Sequence, residues 1–255
     1  MTVELEVETS GHVAVLEMRR PPENYFDRAI LAEIADAATE LQSSGDIRAI
    51  VLCSQGKHFC AGANFGPGGL GADRESHSRR LYTEAMRIFD LELPIIAAVQ
   101  GSAVGGGLGL ACSADFRVAT PSSRFTANFA TLGFHQGFGL SVTLPRIVGH
   151  QVTQDLLYTG RRITGQRGFE IGLVDRLVPD GHEREAALSW AEEIAASAPL
   201  AVRAIKRTLR SGLAAEVRAV LELELAEQSR LWRTRDSVTG IAANLARESP
   251  IFIGE

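Results

Sequence analysis

The chain of 255 residues is poor in cysteine and in aromatic residues, and it has no excess of positive charge. Its three cysteines, Cys53, Cys60 and Cys112, are odd in number and lack metal-ligand spacing. This argues against a disulfide framework and favours a reducing compartment, so we expect each cysteine to be a small buried apolar residue. The formal net charge of -5 argues against nucleic acid as a main partner.

Long apolar runs are also missing, and none approaches the length of a membrane span, so we expect no membrane partner. The first residues are acidic and alternate with apolar ones, without the basic start and apolar stretch of a secretory signal. We therefore expect a cytoplasmic protein. Because the histidines and carboxylates show no metal-ligand spacing, we predict no metal site.

Apolar periodicity predicts an α/β chain that is long enough for one sizeable core. Residues 3–7 and 13–18 alternate and predict a hairpin, and Asp27 is a candidate N-cap for a helix over 28–41. Further strands are predicted over 47–53, 94–99, 115–119, 124–126 and 173–178, and helices over 79–91, 108–113, 140–149, 152–159 and from 184 onward. The stretch 65–78 is rich in glycine and charge without a period, and it predicts a mobile loop.

The most informative stretch is 101–112, Gly-Ser-Ala-Val-Gly-Gly-Gly-Leu-Gly-Leu-Ala-Cys, directly after an apolar run. Glycines allow close backbone approach, and a helix start offers unpaired N–H groups. The combination suits a phosphate or a developing oxyanion, although a tight buried turn would use the same residues. A second predicted strand ends in a similar turn at 56–65, Gly-Lys-His-Phe-Cys-Ala-Gly-Ala-Asn-Phe. Two such turns can each present one N–H and so form an oxyanion hole.

Together these motifs resemble the crotonase (enoyl-CoA hydratase/isomerase) superfamily. Residues 20–24 (Arg-Pro-Pro-Glu-Asn) look like its early loop, and 56–65 and 100–109 look like its two oxyanion motifs. Later matches are Ala-Asp-Phe-Arg at 114–117, Ile-Thr at 163–164, Glu-Ile-Gly-Leu-Val-Asp at 170–175, and Ala-Pro-Leu-Ala at 198–201 with Lys206. The resemblance, which covers most of the chain, implies a spiral of ββα turns over 1–197. It also implies a helical region over 198–255 that assembles a homotrimer or a dimer of trimers, and ordinary packing of this tail within the chain is the alternative.

The resemblance also implies the site. By the motif match, the backbone N–H groups of Ala63 and Gly106 form the oxyanion hole. The partner would be an acyl-CoA substrate, with coenzyme A as its carrier part and no tightly bound cofactor. Contacts to coenzyme A map to Pro22, Glu23, Ala61 and again Ala63.

Two further contacts to coenzyme A map to the tail, at Arg247 and Phe252. Arg247 stands where relatives often have lysine, so it keeps a positive charge for a phosphate. Asn244 stands where relatives often have phenylalanine, which puts part of the adenine pocket in doubt.

The chain departs from the hydratases of this superfamily at two positions where they carry glutamates. These positions are Gly109 and Phe129, and neither side chain can transfer a proton, so the usual water addition by paired carboxylates is not supported. His135, in a glycine-rich turn, is the first candidate for acid–base chemistry because histidine titrates near neutrality. Tyr82 is the second, as a phenol that can donate to developing charge. Gly137 occupies the place of the nucleophilic aspartate in dehalogenase-like relatives and argues against a covalent route.

The sequence thus predicts an acyl-CoA-processing enzyme that stabilises a thioester enolate or oxyanion. Isomerisation, hydration or dehydration with an unusual base, and C–C or thioester hydrolysis stay open. The alternative is a catalytically silent acyl-CoA-binding subunit. Four phenylalanines predict either an apolar acyl pocket or ordinary core packing: Phe125, Phe129, Phe134 and Phe138.

Overall fold

A computed structural model describes residues 4–66 and 73–255. Its strands are β1 (Leu5–Ser10), β2 (Val13–Met18), β3 (Ala49–Ser54), β4 (Ile95–Val99), β5 (Ser102–Val104), β6 (Phe116–Ala119), β7 (Arg124–Thr126), β8 (Arg162–Thr164) and β9 (Arg176–Leu177). Its helices are α1 (Arg28–Ser44), α2 (Arg74–Phe89), α3 (Gly106–Ser113), α4 (Leu140–Val148), α5 (His150–Thr159), α6 (Gly165–Glu170), α7 (Glu183–Ala195), α8 (Pro199–Leu209), α9 (Leu213–Leu231) and α10 (Arg235–Ala246), with a short 3₁₀ helix at Ala130–Leu132.

The strands form two sheets. The larger has the order β1-β2-β3-β4-β6-β9 and is parallel except for the β1–β2 hairpin. The smaller has the order β5-β7-β8. From β4 to β7, consecutive strands alternate between the two sheets, since β4 is followed by β5 and then α3, and β6 is followed by β7 and later α4. This alternation is a ββα spiral, and it confirms the predicted α/β crotonase-like core.

The larger sheet is covered on both faces, which explains why its central strands are apolar throughout. On one face, Ile50, Leu52 and Ile95 belong to the main core, together with apolar side chains of α1 and α2. On the other face, Val51 and Ile96 pack in a second cluster with the alanines of α7. The period-2 alternation of the strands thus divides each strand between two apolar layers.

The start of α1 is as predicted, because the Asp27 carboxylate accepts a hydrogen bond from the Ile30 N–H at 3.1 Å. The β-hairpin is also present, although β1 runs to Ser10 rather than stopping at residue 7, and Val3 lies outside the described residues. The predicted strand over 173–178 shortens to the two residues of β9. The sequence did not predict α6 or the 3₁₀ helix, because both are too short to show a period.

The predicted loop over 65–78 is wrong in its last part, because α2 already begins at Arg74. The Asp73 carboxylate accepts a hydrogen bond from the Ser76 N–H at 3.3 Å and caps the helix. The first turn carries charged residues, which hide the helical period that starts with Ser78 and Leu81 on the buried side. Residues 67–72 of the predicted loop lie outside the described residues.

The C-terminal helices make different contacts with the rest of the chain. Helix α9 packs along α2 and α4, and α10 packs on the 3₁₀ helix. Helix α8 is held by Lys206 and Arg210, which each lie 2.8 Å from a carboxylate oxygen of Asp115. The division at residue 198 and the role of the tail in assembly stay predictions.

Two expectations from composition can be compared with the fold. The three cysteines are free and buried, as predicted, and burial raises the pKa of the Cys60 thiol to about 12. Among the helices that the structure describes, none combines the length and apolar character needed to cross a membrane.

Candidate active site

The two glycine-containing turns lie side by side. The Cys60 N–H donates to the Ser102 carbonyl at 3.0 Å, and the Val104 N–H donates to the Cys60 carbonyl, also at 3.0 Å. These bonds align the turn after β3 with β5 as a short parallel bridge. As a result, Ala63 and Gly106 both reach the wall of one cavity.

The N–H groups of Ala63 and Gly106 are not used by the backbone around them. The Phe26 N–H bonds to the Gly62 carbonyl at 3.1 Å beside Ala63, and Gly106 opens α3, where first-turn N–H groups have no helical partner. Within residues 4–66 and 73–255, neither N–H donates to another backbone carbonyl. Gly62 is required between them, because it has φ 91° and a Cβ there would lie 2.8 Å from the Val104 carbonyl oxygen.

The cavity between these turns, which we call the central cavity, has a volume of about 240 Å³. One part of its wall is aromatic: Phe26, Phe65, Phe129, Phe134, Phe138 and Trp232. The polar side chains on the wall are neutral: Tyr25, Asn64, Ser78, Tyr82, Asn128, Gln228 and Asn244. Three of the four predicted phenylalanines therefore line the cavity, whereas Phe125 is buried in the core. Such a wall suits an apolar ligand that is oriented by a few hydrogen bonds.

Aromatic side chains fill the two positions at which the resemblance implies glutamates in hydratases. A Cβ at Gly109 would overlap the side chain of Phe138. Phe129 lines the cavity and packs edge-on against Phe134, with ring centroids 6.0 Å apart. Among the described residues, no carboxylate lines the central cavity.

Tyr82 projects from α2 to the glycine-rich turn before α4. Its hydroxyl donates to Gln228 Oε1 at 2.9 Å, and Gln228 Nε2 donates to the His135 carbonyl at 3.1 Å. Gly137 makes room for this arrangement, because a Cβ there would overlap the Tyr82 hydroxyl. Burial raises the pKa of Tyr82 above its usual value of 10.0. Tyr82 is therefore a neutral phenol and a hydrogen-bond donor at physiological pH.

The structure places the His135 ring outside the cavity wall. Ring Nδ1 lies 2.8 Å from the Gln136 carbonyl oxygen, which is the structural role that the sequence left open. The turn that carries His135 is fixed by Glu224, whose carboxylate accepts the N–H groups of Gly139 at 2.9 Å and Ser141 at 3.0 Å. The acid–base role of His135 stays a prediction, while Tyr82 is the titratable candidate that lines the cavity.

The predicted contacts to coenzyme A fall into two groups. Ala61 and Ala63 line the central cavity, and Glu23 is adjacent because its carbonyl accepts the Ala61 N–H at 2.9 Å. Pro22 is exposed beside Glu23 and does not line the cavity.

The two tail residues also lie off the cavity wall. Arg247 ends α10 and is exposed, whereas Asn244, three residues earlier, lines the cavity. Phe252 is 41% exposed, in a terminal segment that Asp236 holds through hydrogen bonds from two backbone N–H groups. The roles of Pro22, Arg247 and Phe252 toward coenzyme A stay predictions.

Sequence reasoning missed the contribution of α9 to the site. Glu224 and Gln228 are four residues apart on one face of this helix and are both buried, and Trp232 follows one turn later. Only Gln228 and Trp232 line the cavity, while Glu224 supports the turn. Two polar residues at helical spacing on a buried face were the available signal, but the segments that they contact, the turn before α4 and Tyr82 of α2, are far away in sequence.

The spiral fold and the paired turns define an enzyme of the crotonase fold. The chain matches the family model "Enoyl-CoA hydratase/isomerase" over residues 8–254. It is 33% identical over 252 residues to a putative enoyl-CoA hydratase of Thermus thermophilus, covering 95% of this chain and 98% of that one. It is 31% identical over 253 residues to a crotonyl-CoA hydratase of Syntrophomonas wolfei, covering 98% and 97%.

A solved structure also supports membership of this family. An enoyl-CoA hydratase/isomerase from Pseudoalteromonas atlantica superposes with a TM-score of 0.85 at 28% identity, covering 98% of this chain and 100% of that one. The chain belongs to the enoyl-CoA hydratase/isomerase family and is an enzyme of that family.

Proposed function

We propose that the protein processes acyl-CoA thioesters and that the N–H groups of Ala63 and Gly106 hold the thioester oxygen. The observation that carries this proposal is that Ala63 and Gly106 line the same cavity and that, among the described residues, neither N–H has a backbone acceptor. Negative charge grows on that oxygen as the thioester is converted to an enolate. Two fixed donors therefore stabilise the transition state more than the substrate. Loss of one such donor typically costs about 3–4 kcal/mol.

The residues of the cavity wall suggest where the remaining parts of the substrate bind. The acyl group lies against the aromatic side chains of the central cavity. The coenzyme A moiety extends out of the cavity beside Ala61 and Glu23. Arg247 then offers its charge to a phosphate of the carrier. Coenzyme A is the carrier part of the substrate, and the chemistry needs no tightly bound cofactor.

Tyr82 is the group that the geometry favours for proton transfer. Because burial keeps it neutral, it can donate a proton to the enolate once its hydroxyl turns away from Gln228 Oε1, but it is a poor base at neutral pH. Water addition by two carboxylates has no support at Gly109 and Phe129. Isomerisation, hydration by another route and hydrolysis are the reactions to be separated by experiment.

The test is incubation with saturated, 2-enoyl, 3-enoyl and cyclic acyl-CoA thioesters in deuterated water, followed by mass spectrometry. We expect a mass shift for at least one thioester, from water addition, hydrolysis or deuterium exchange at the α-carbon. No change across the panel, with binding of coenzyme A measured on the same sample, would instead favour the silent binding subunit.

A further inference from the structure

A second pocket adjoins the central cavity at Trp232, which lines both. This outer pocket has a volume of about 350 Å³. It lies between the start of α2, the end of α9 and one residue of α10, and it is lined by Asp73, Arg74, Glu75, Ser229, Trp232, Arg233 and Val238. Trp232 packs edge-on against Phe134 of the central cavity, with ring centroids 6.0 Å apart. A chain that passes these two rings would reach the outer pocket.

Two buried donors of the outer pocket have no partner. Trp232 Nε1 and Ser229 Oγ are both buried and make no hydrogen bond in the part of the chain that the structure describes. They are three residues apart at the end of α9 and therefore lie on the same side of it. Buried polar groups are nearly always paired in native proteins, so this pair calls for a ligand or an ordered water.

The ionisable side chains that line the outer pocket are two carboxylates and two guanidinium groups, so their formal charges cancel and only their pairing distinguishes them. Asp73 is engaged in capping α2, and Glu75 lies 3.9 Å from Arg79 and 4.0 Å from Arg233. Arg74 is half-buried and forms no ion pair with the described residues. Residues 67–72, Pro-Gly-Gly-Leu-Gly-Ala, carry no ionisable side chain that could pair with it.

We propose that the outer pocket binds a carboxylate at the far end of the acyl chain, so that thioesters of dicarboxylic acids are preferred substrates. The inference rests on the proposed function, because the acyl chain must occupy the central cavity. The indole N–H and the hydroxyl donate to the carboxylate oxygens, and the Arg74 guanidinium supplies the opposite charge. The aromatic wall of the central cavity covers the methylene chain between the two polar ends.

The test compares chains of equal length with and without the terminal carboxylate. Hexanoyl-CoA against adipoyl-CoA, and octanoyl-CoA against suberoyl-CoA, are titrated by calorimetry into the full-length protein. We expect at least one dicarboxylic thioester to bind about tenfold or more tightly than its partner. W232F, S229A and R74Q should each reduce this ratio about five- to tenfold. S229A and R74Q change residues outside the central cavity wall, so these two variants should also leave the affinity for the alkyl chain within about twofold.

Trp190→Phe is the matched control. Trp190 packs against Phe116 on another part of the molecule, so this variant should keep both affinities. Thermal unfolding checks that every variant is folded, and S229A and R74Q carry the test if W232F does not fold.

The outcomes separate this inference from the proposed function. If no acyl-CoA of either kind binds, the proposed function itself fails. If alkyl thioesters bind at least as tightly as dicarboxylic ones, or if the preference survives in W232F, S229A and R74Q alike, only the assignment of the outer pocket is overturned.

Discussion

At Gly106 and at Gly137, a neighbouring side chain leaves no room for a residue larger than glycine. A Cβ at Gly106 would overlap the ring of Phe26, and a Cβ at Gly137 would overlap the Tyr82 hydroxyl. Gly106 lines the cavity and its N–H has no helical partner, and Gly137 leaves room for the Tyr82 hydroxyl. Both substitutions to larger residues would therefore disturb packing before they changed any chemistry, so functional tests at these positions need matched background variants.

Tyr82 and His135 can be compared directly as candidates for proton transfer. We expect Tyr82→Phe to lower kcat about 10²-fold, because Tyr82 lines the cavity and the substitution deletes the hydroxyl that we propose as the proton donor. His135→Ala should lower kcat less, because its ring faces the Gln136 carbonyl rather than the cavity. Steady-state kinetics on the reactive thioester measures both. The assignment would be reversed if the histidine variant lost about 10²-fold and the phenylalanine variant kept full activity.

At the scale of elements, α8 is joined to the sheet by one buried ionic cluster. Asp115, at the start of β6, accepts hydrogen bonds from Lys206 and from Arg210 of the segment after α8, both at 2.8 Å. Lys206 also donates to the Leu93 carbonyl at 2.6 Å. Burial acts to raise the pKa of Asp115, but the charges of Lys206 and Arg210 outweigh it and lower the pKa below 3.8.

Asp115→Asn should destabilise the protein by up to about 3–5 kcal/mol at pH 7, because it leaves two largely buried cations without their counter-charge. Since the folded-state pKa of Asp115 is lowered, its contribution is present above pH 3.8 and is lost as pH falls through the folded pKa. The difference between wild type and variant should therefore shrink from pH 7 to pH 3. Urea unfolding at both pH values measures it.

Asp90→Asn is the control for this prediction, because Asp90 pairs with Arg218 at the surface at 3.1 Å. An exposed pair contributes only about 0–1 kcal/mol. Equal losses in the two variants, or a difference that does not change with pH, would show that the cluster does not anchor α8.

The elements that hold the two glycine-containing turns could be predicted from sequence because their signals are local. Strand β3 and strand β4 are short apolar runs that end in small residues, and both turns reach the cavity. The start of α2 was missed because its first turn is charged. The contacts of α9 were missed because they join Gln228 to Tyr82, 146 positions away, and no periodicity encodes such a distance.

At the scale of the whole molecule, α8 presents apolar side chains to solvent. Leu200 and Leu209 are 79% and 78% exposed, and Ile205 is 57% exposed. Apolar side chains gathered on one exposed helix are typical of a surface that a partner covers. The resemblance assigns the tail to assembly, so we expect α8 to contribute to contacts between copies of the chain.

Light scattering after gel filtration should give three or six times the chain mass of 27.4 kDa. Leu209→Asp should shift the protein toward smaller species, because a carboxylate buried in an apolar interface is unpaired. Leu209→Met, which keeps the apolar character, should leave the mass unchanged. A wild type that is monomeric at micromolar concentration would contradict the predicted assembly.

The oxyanion hole is the central claim, and it is tested most directly by removing one N–H and comparing the result with a variant that keeps it. Phe26→Leu relieves the overlap at Gly106, and in this background Gly106→Ala keeps the N–H while Gly106→Pro deletes it. We would measure kcat of the two double variants on the thioester that the panel shows to react, with binding and folding checked for each. The oxyanion hole predicts that the proline variant is about 10²–10³-fold slower than the alanine variant at similar affinity. Equal rates in two folded variants would show that Gly106 does not stabilise the transition state.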